Sequence, residues 1–241
     1  YEKYLDIQLG PAYDITSFKA NSEPVRGYQD SVKEMIKNRV GLSVGAIYIT
    51  KLKRDLSISA GFQVRWLSTS REYDSAEFGY KSPYHPEVPV ISDLSQTWPK
   101  TIDFRFRFLQ IQLPIIFNWQ VGGTSTKLKP SWHLSAGAIG SFVLQHNGYA
   151  EFKGWYVEGK NKFHFSETGF NESRLNFILL AGIKYLYPFK TNIHGYAQPN
   201  FQLPIMPYTT GQDQYRFFSF GINVGLVFDL NKPLKGEETK E

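Results

Sequence analysis

The strongest constraint on this chain is an alternation of apolar and polar side chains, repeated in segment after segment. Leu56, Ile58, Ala60, Phe62, Val64 and Trp66 occupy every second position, with Ser57, Ser59, Gly61, Gln63 and Arg65 between them. Successive side chains of a strand point to opposite faces, so this is a strand with one apolar and one polar face. A helix would need its apolar residues three and four apart.

The same period recurs along the chain. Val40, Leu42, Val44, Ala46 and Tyr48 carry it, as do Trp132, Leu134, Ala136, Ala138 and Phe142. It returns in Leu175, Phe177, Leu179, Ala181, Ile183 and Tyr185, and in Ile193, Ala197, Phe201, Leu203 and Ile205. The last run is Phe218, Phe220, Ile222, Val224, Leu226, Phe228 and Leu230; Leu5, Ile7 and Leu9 open the chain. The long segment from Phe104 to Trp119 changes parity near Phe108-Leu109, which reads as a bulge, and contains Pro114. These segments make eight strands.

Connectors alternate between short (Lys51–Asp55, Gly122–Lys129, Phe189–Asn192) and mostly long (residues 15–38, 69–101, 147–173 and 207–215). An up-and-down sheet with one plain and one elaborated end has this rhythm. Val32, Met35 and Ile36 have helical spacing within the first long connector. The expected domains are a barrel over residues 1–230 and a flexible polar tail over 231–241.

Composition removes several classes of function. No run approaches the ~18 apolar residues of a membrane-spanning helix. The absence of Cys excludes a disulfide scaffold, a thiolate metal site and a Cys nucleophile. The net charge of +5 comes from scattered basic residues, whereas a nucleic-acid footprint is clustered, so no nucleic-acid partner is expected. The chain starts at Tyr1-Glu2-Lys3, as a processed or a cytosolic protein could.

Alternation alone does not say which face points outward. The polar face is made of Ser, Gly, Gln, Asn and His rather than Lys and Glu. Small and amide side chains suit a crowded interior in which every polar group needs a partner. Aromatics are 16% of the chain, and Tyr48, Trp119, Trp132, Tyr185, Tyr187 and Phe228 fall near the short-turn end. Trp66, Phe142 and Phe218 fall toward the other. Two girdles around an apolar band mark a transmembrane barrel facing lipid. The expected fold is therefore an all-β, eight-stranded antiparallel up-and-down transmembrane β-barrel with long extracellular loops and short periplasmic turns.

Asn223-Val-Gly225-Leu-Val-Phe228-Asp-Leu230 resembles the C-terminal β-signal of bacterial outer-membrane barrels: polar, any, Gly, any, any, aromatic, any, hydrophobic. The resemblance implies that Asn223, Gly225, Phe228 and Leu230 are read by the barrel-assembly machinery. Four further blocks resemble the small PorT-like outer membrane protein beta-barrel family: Gly41-Leu-Ser-Val-Gly45, Leu56-Ser-Ile-Ser-Ala-Gly61-Phe, Phe108-Leu-Gln-Ile-Gln-Leu-Pro114-Ile-Ile-Phe117 and Lys129-Pro-Ser-Trp-His-Leu-Ser-Ala-Gly137. In the third, Gln112 stands where the family commonly has Pro. The likeness spans residues 4–230 and implies an OmpA-type barrel of the Gram-negative outer membrane, with periplasmic termini. Some family members serve secretion or gliding machinery, and most have no assigned activity.

For chemistry the yield is small. The five His show no metal-ligand spacing. His133 and Ser135 share a face, and a His-x-Ser pair occurs in an outer-membrane lipid A deacylase, but both point into the barrel near the short-turn end. No catalytic residue, metal or cofactor is expected. Gln63, Arg65, His133, Lys184, Gln198 and Asn200 are the expected polar interior, with Arg105 and Arg107 as further inward charges. Asp103 and Asp229 are the clearest inward carboxylates.

The long connectors carry Tyr80, Tyr84, Trp98, Trp155 and Tyr156, which form either a partner-binding surface or a cap packed on itself. The expected function is a non-enzymatic anchor or accessory subunit of an outer-membrane complex, seated in the lipid bilayer with a protein partner. A narrow solute channel and a lipid-active enzyme are the alternatives.

Overall fold

Ten strands follow one another in a computed structural model that describes residues 2–20, 36–37, 39–74, 101–122, 129–153, 162–166, 175–190, 192–207 and 213–231. They are β1 (Lys3–Ala20), β2 (Ile36–Lys37), β3 (Arg39–Lys51), β4 (Leu56–Asp74), β5 (Thr101–Gly122), β6 (Ser131–Lys153), β7 (Lys162–Ser166), β8 (Leu175–Lys190), β9 (Ile193–Pro204) and β10 (Asp213–Asp229). β2 and β7 are short additions beside β4 and β6. The other eight pair antiparallel around the ring β1-β3-β4-β5-β6-β8-β9-β10, and β10 closes onto β1. Closure pairs the backbone within the sheet, the requirement for crossing a bilayer with strands. The described residues contain no helix; Ile36 lies in β2, while Val32 and Met35 lie outside them.

The alternation sets the faces. Ile7, Phe62, Leu113, Phe117, Leu134, Leu179, Ile222 and Leu226 are exposed on the outside, while Gln8, Gln63, Gln112, Ser135 and Asn223 are buried within. Soluble proteins do not turn a barrel out in this way, because a continuous apolar belt in water would aggregate. On β5 the outward apolar series runs from Leu109 to Val121, about 40 Å of strand or roughly 30 Å along the membrane normal at a 40° tilt. Tyr48, Trp119, Trp132 and Tyr187 rim the short-turn end of this belt, and Trp66 and Phe142 its other end.

The strands outrun the belt. β1 continues to Ala20, β4 to Asp74 and β6 to Lys153, so part of each expected long connector is sheet above the membrane. The irregularity near Phe108-Leu109 lies on the neighbouring strand. Leu109 pairs with Gln145 and Gln110 with Val143, so β6 carries one extra residue, Leu144. β5 keeps its register with β4 through the same level.

Three prolines interrupt the ladders, since proline offers no N–H. Cα pairing lapses beside Pro11 between β1 and β10, beside Pro114 between β4 and β5, and beside Pro199 between β8 and β9. Pro11 and Pro199 flank one residue of β10, Ile222. At the short-turn end the terminal strands are pinned together: Leu230 N donates to Lys3 O (3.0 Å) and Asn231 Nδ2 to the same oxygen (3.0 Å).

Candidate functional site

The lumen is the most elaborate part of the described structure, and it is filled. Its short-turn mouth holds a cavity of about 180 Å³, lined by Tyr4, Lys51, Ser131, His133, Lys184 and Asp229 among others. Behind it the Lys184 ammonium donates to Asp6 Oδ2 (2.9 Å) and lies 3.7 Å from the centre of the Tyr196 ring. Tyr196 Oη donates in turn to Gln8 Oε1 (2.8 Å). Lys184 on β8 thus reaches β1 across the intervening strands and ties the wall to itself.

A small polar knot follows. Asn118 Nδ2 donates to Ser59 Oγ (2.7 Å), and Ser135 Oγ donates to Asn118 Oδ1 (2.7 Å). Ser131 Oγ and His133 Nε2 are 2.9 Å apart, so His133 and Ser135 have different partners and do not form a nucleophile–base pair. Among the described residues, no three His, Asp or Glu side chains converge on a metal-sized site.

The next layer departs from the expected polar interior. Ile116, Ile139, Ile178 and Leu180 cluster inside the barrel, and Ile139 is 0% exposed. Pro114 and Pro204 are buried too. One sector of the lumen, on β5, β6 and β8, is therefore dry and apolar.

Opposite it stands Arg65. Its guanidinium donates to Gln202 Oε1 on β9, to Asp14 Oδ1 on β1 and, at 2.6 Å, to Ser219 Oγ on β10. Arg65 is 2% exposed and Asp14 1%. A charge so deep is tolerable only with a paired, hydrogen-bonded partner. Gln202 extends the network to Asn200 Oδ1 (3.2 Å), and Asn200 Nδ2 donates to the Gln198 carbonyl (3.1 Å). The outermost layer is apolar again: Leu67, Phe108, Val143 and Phe217 are buried, with the Phe108 and Phe217 ring centres 5.7 Å apart.

The structure places Gln63, Arg65, Lys184, Gln198 and Asn200 in the buried interior and His133 at its mouth. Asp229 lines the same mouth. Arg105, Arg107 and Asp103 require a correction. They share a parity with Leu109 and Leu113 and so lie on the outer side of the wall, above the belt, where Arg107 is exposed, Arg105 is half-buried and Asp103 is covered at 3% exposure. Above the bilayer the two faces exchange roles: the inside carries Phe108, and the outside meets head groups and water. Arg105 donates to Asp103 Oδ2 through Nη2 (2.8 Å) and Nε (3.0 Å), and these hydrogen bonds raise its pKa above the ordinary value. The inward carboxylates that pair with Arg65 and Lys184 are Asp14 and Asp6, both on β1.

Asn223, Gly225 and Phe228 lie on β10 and Leu230 just beyond it. Gly225 is required sterically, since a Cβ there would stand 2.3 Å from the Ile7 carbonyl oxygen and 2.8 Å from the Tyr196 ring. Tyr80, Tyr84, Trp98, Trp155 and Tyr156 lie outside the described residues, as do residues 232–241.

This arrangement defines the class: an outer-membrane-type transmembrane β-barrel of eight strands, OmpA-like in size, with a side-chain-filled lumen. No family model matches the chain, and no curated protein is similar to it. Among solved structures, the chain is similar to Ail, the attachment invasion locus protein of Yersinia pestis, at 14% identity and a TM-score of 0.38, over 95% of this chain and 100% of that one. Neisserial surface protein A is similar at 14% identity and 0.40, over 94% and 96%. OprG from Pseudomonas aeruginosa is similar at 8% identity and 0.46, over 96% and 97%.

Proposed function

We propose that this barrel is a non-conducting, non-enzymatic anchor of the bacterial outer membrane that works by contact with a protein partner, as an accessory subunit of a larger complex. The observation carrying this reading is the succession of crossings within the lumen: Lys184 to Asp6, the Ile116–Ile139–Ile178–Leu180 cluster, Arg65 to Asp14, and the Phe108–Phe217 lid. A solute path would have to break a buried ion pair at two levels and wet an apolar layer at two more. Neither suits steady flux through an eight-stranded bore, which side chains fill.

In this reading the short-turn end and both termini are periplasmic. The β-signal residues Asn223, Gly225, Phe228 and Leu230 guide assembly, and residues 231–241 form the periplasmic tail. The loops bearing Tyr80, Tyr84, Trp98, Trp155 and Tyr156 meet the partner outside. The PorT-like likeness accords with a role in a secretion or motility assembly. Two experiments test this. Reconstituted protein should be silent in planar bilayers; discrete single-channel steps would favour the channel. Mild-detergent purification from native membranes should bring down a stoichiometric partner, lost on replacing the five loop aromatics; a lone barrel would defeat the anchor reading.

A further inference from the structure

Where the apolar belt ends on β4, β5 and β6, the outer wall carries a compact set of donors. Trp66 and Leu109 face each other in the last apolar row. One row further out stand Ser68, Arg107 and Asn147, side by side on three strands. Two residues of tilted strand rise about 5 Å along the membrane normal, which puts this row among the lipid head groups. The next row is Ser70, Arg105 and Tyr149. The Arg105 and Arg107 guanidinium carbons lie 5.6 Å and 5.9 Å from the centre of the Tyr149 ring, so one aromatic holds both.

The two cations differ in their counter-charges. Arg105 is met by Asp103 at 2.8 Å and Glu151 at 3.6 Å. Among the described residues no carboxylate pairs with Arg107, which is exposed and braced by Tyr149. A guanidinium fork held in place at head-group level, between a hydroxyl and an amide, matches the oxygens of a phosphate monoester or diester. Lipid below and polar surroundings above let one molecule place its acyl chains on Trp66 and Leu109 and its phosphate on Arg107.

The geometry points to a binding site for the phosphorylated head group of a membrane lipid, with Arg107 as the primary ligand, Ser68 and Asn147 as flanking donors and Tyr149 as the brace. The site rests on the membrane reading but not on which end faces outward, and symmetric bilayers make its test independent of orientation.

The test uses the full chain in phosphatidylcholine nanodiscs doped with a bis-phosphorylated glycolipid or its dephosphorylated counterpart, with bound lipid counted by native mass spectrometry. The wild type should retain the phosphorylated form over the dephosphorylated one. Arg107→Gln should reduce that preference about fivefold, the scale for one basic residue at an anionic lipid surface. Arg107→Lys, which keeps the charge but loses the fork, should fall between them.

Arg216 provides the internal control, being exposed two residues beyond Phe218 on β10 and paired there with Ser17 of β1. Arg216→Gln should leave the preference unchanged; an equal loss would reduce the effect to diffuse charge and overturn the site. A wild type without preference would overturn it as well. Displacement of the glycolipid by millimolar inorganic phosphate would identify the source as free phosphate and refute a lipid site. Altered heat-modifiability in gels would mark a barrel that had failed to fold, and Arg107→Lys then carries the test.

Discussion

Replacing Arg65 with Met should be among the most damaging single changes to the barrel's stability. The guanidinium joins three strands other than its own, through Gln202, Asp14 and Ser219. Its loss strands the Asp14 carboxylate, 1% exposed, with the Ser219 hydroxyl as its remaining described hydrogen-bond donor. Removing one partner of a buried ion pair costs about 3–5 kcal/mol. At a slope of about 2 kcal/mol/M, a loss of about 4 kcal/mol lowers the urea midpoint by about 2 M. The assay is reversible unfolding in detergent micelles, followed by Trp fluorescence and gel mobility. The double variant Arg65→Met/Asp14→Leu removes both charges and should recover at least half of the loss, because an apolar pair of similar volume is often neutral. A shift below about 0.5 M for the single variant, or a double variant no better than the single, would refute the reasoning, since the cost would then not come from the stranded charge.

Three further outcomes are expected. Leu179→Arg places a charge on the lipid face, where Leu179 is 46% exposed, and should cost about 2–4 kcal/mol in refolding from urea into bilayers; a neutral result would place that face away from lipid. Gly225→Ala should cost about 1–3 kcal/mol in detergent refolding without any assembly factor, because the new methyl group meets the Ile7 carbonyl and Tyr196; an unchanged midpoint would assign Gly225 to recognition alone. Phe108→Ala should cost about 3 kcal/mol yet stay silent in planar bilayers, since the Arg65 and Ile139 layers remain; conductance would show the outer lid to be the barrier.

The alternation made most of the barrel legible, because a half-buried strand cannot hide its period. Arg65 and Lys184 were readable as inward charges for that reason. Their partners were harder to see. Asp6 lies between Leu5 and Ile7, at an inward parity, but Asp14 lies beyond Leu9, where the apolar signal fades although the strand continues. The dry sector escaped for another reason. Ile139, Ile178 and Leu180 occupy polar parity, and apolar residues on both faces leave periodicity nothing to report. Arg105 and Arg107 misled because Phe104, Phe106 and Phe108 alternate with them and look lipid-facing. Only the pairing of Phe108 with Leu67, both buried, reveals that the apolar face has turned inward. Contacts that cross the lumen, such as Lys184 to Asp6, depend on barrel closure and leave no local trace.

The prolines on either side of Ile222 bear on how the barrel yields. β10 closes the ring, yet beside Ile222 its pairing with β1 lapses at Pro11, while its ladder to β9 runs on through Pro199. Lateral tension therefore meets less resistance there than along the rest of the β1–β10 seam, at the level where Gly10 admits the Asn223 side chain closely: a Cβ on Gly10 would stand 2.3 Å from Asn223 Oδ1. Amide protons around Asn223 should exchange ahead of those around Ile139, whose ladders to Pro114 and Ile178 are unbroken. The same row gives the closing strand a hinge. Its far half and its short-turn half can zip onto β1 as separate segments, the latter pinned by Asn231 and Lys3.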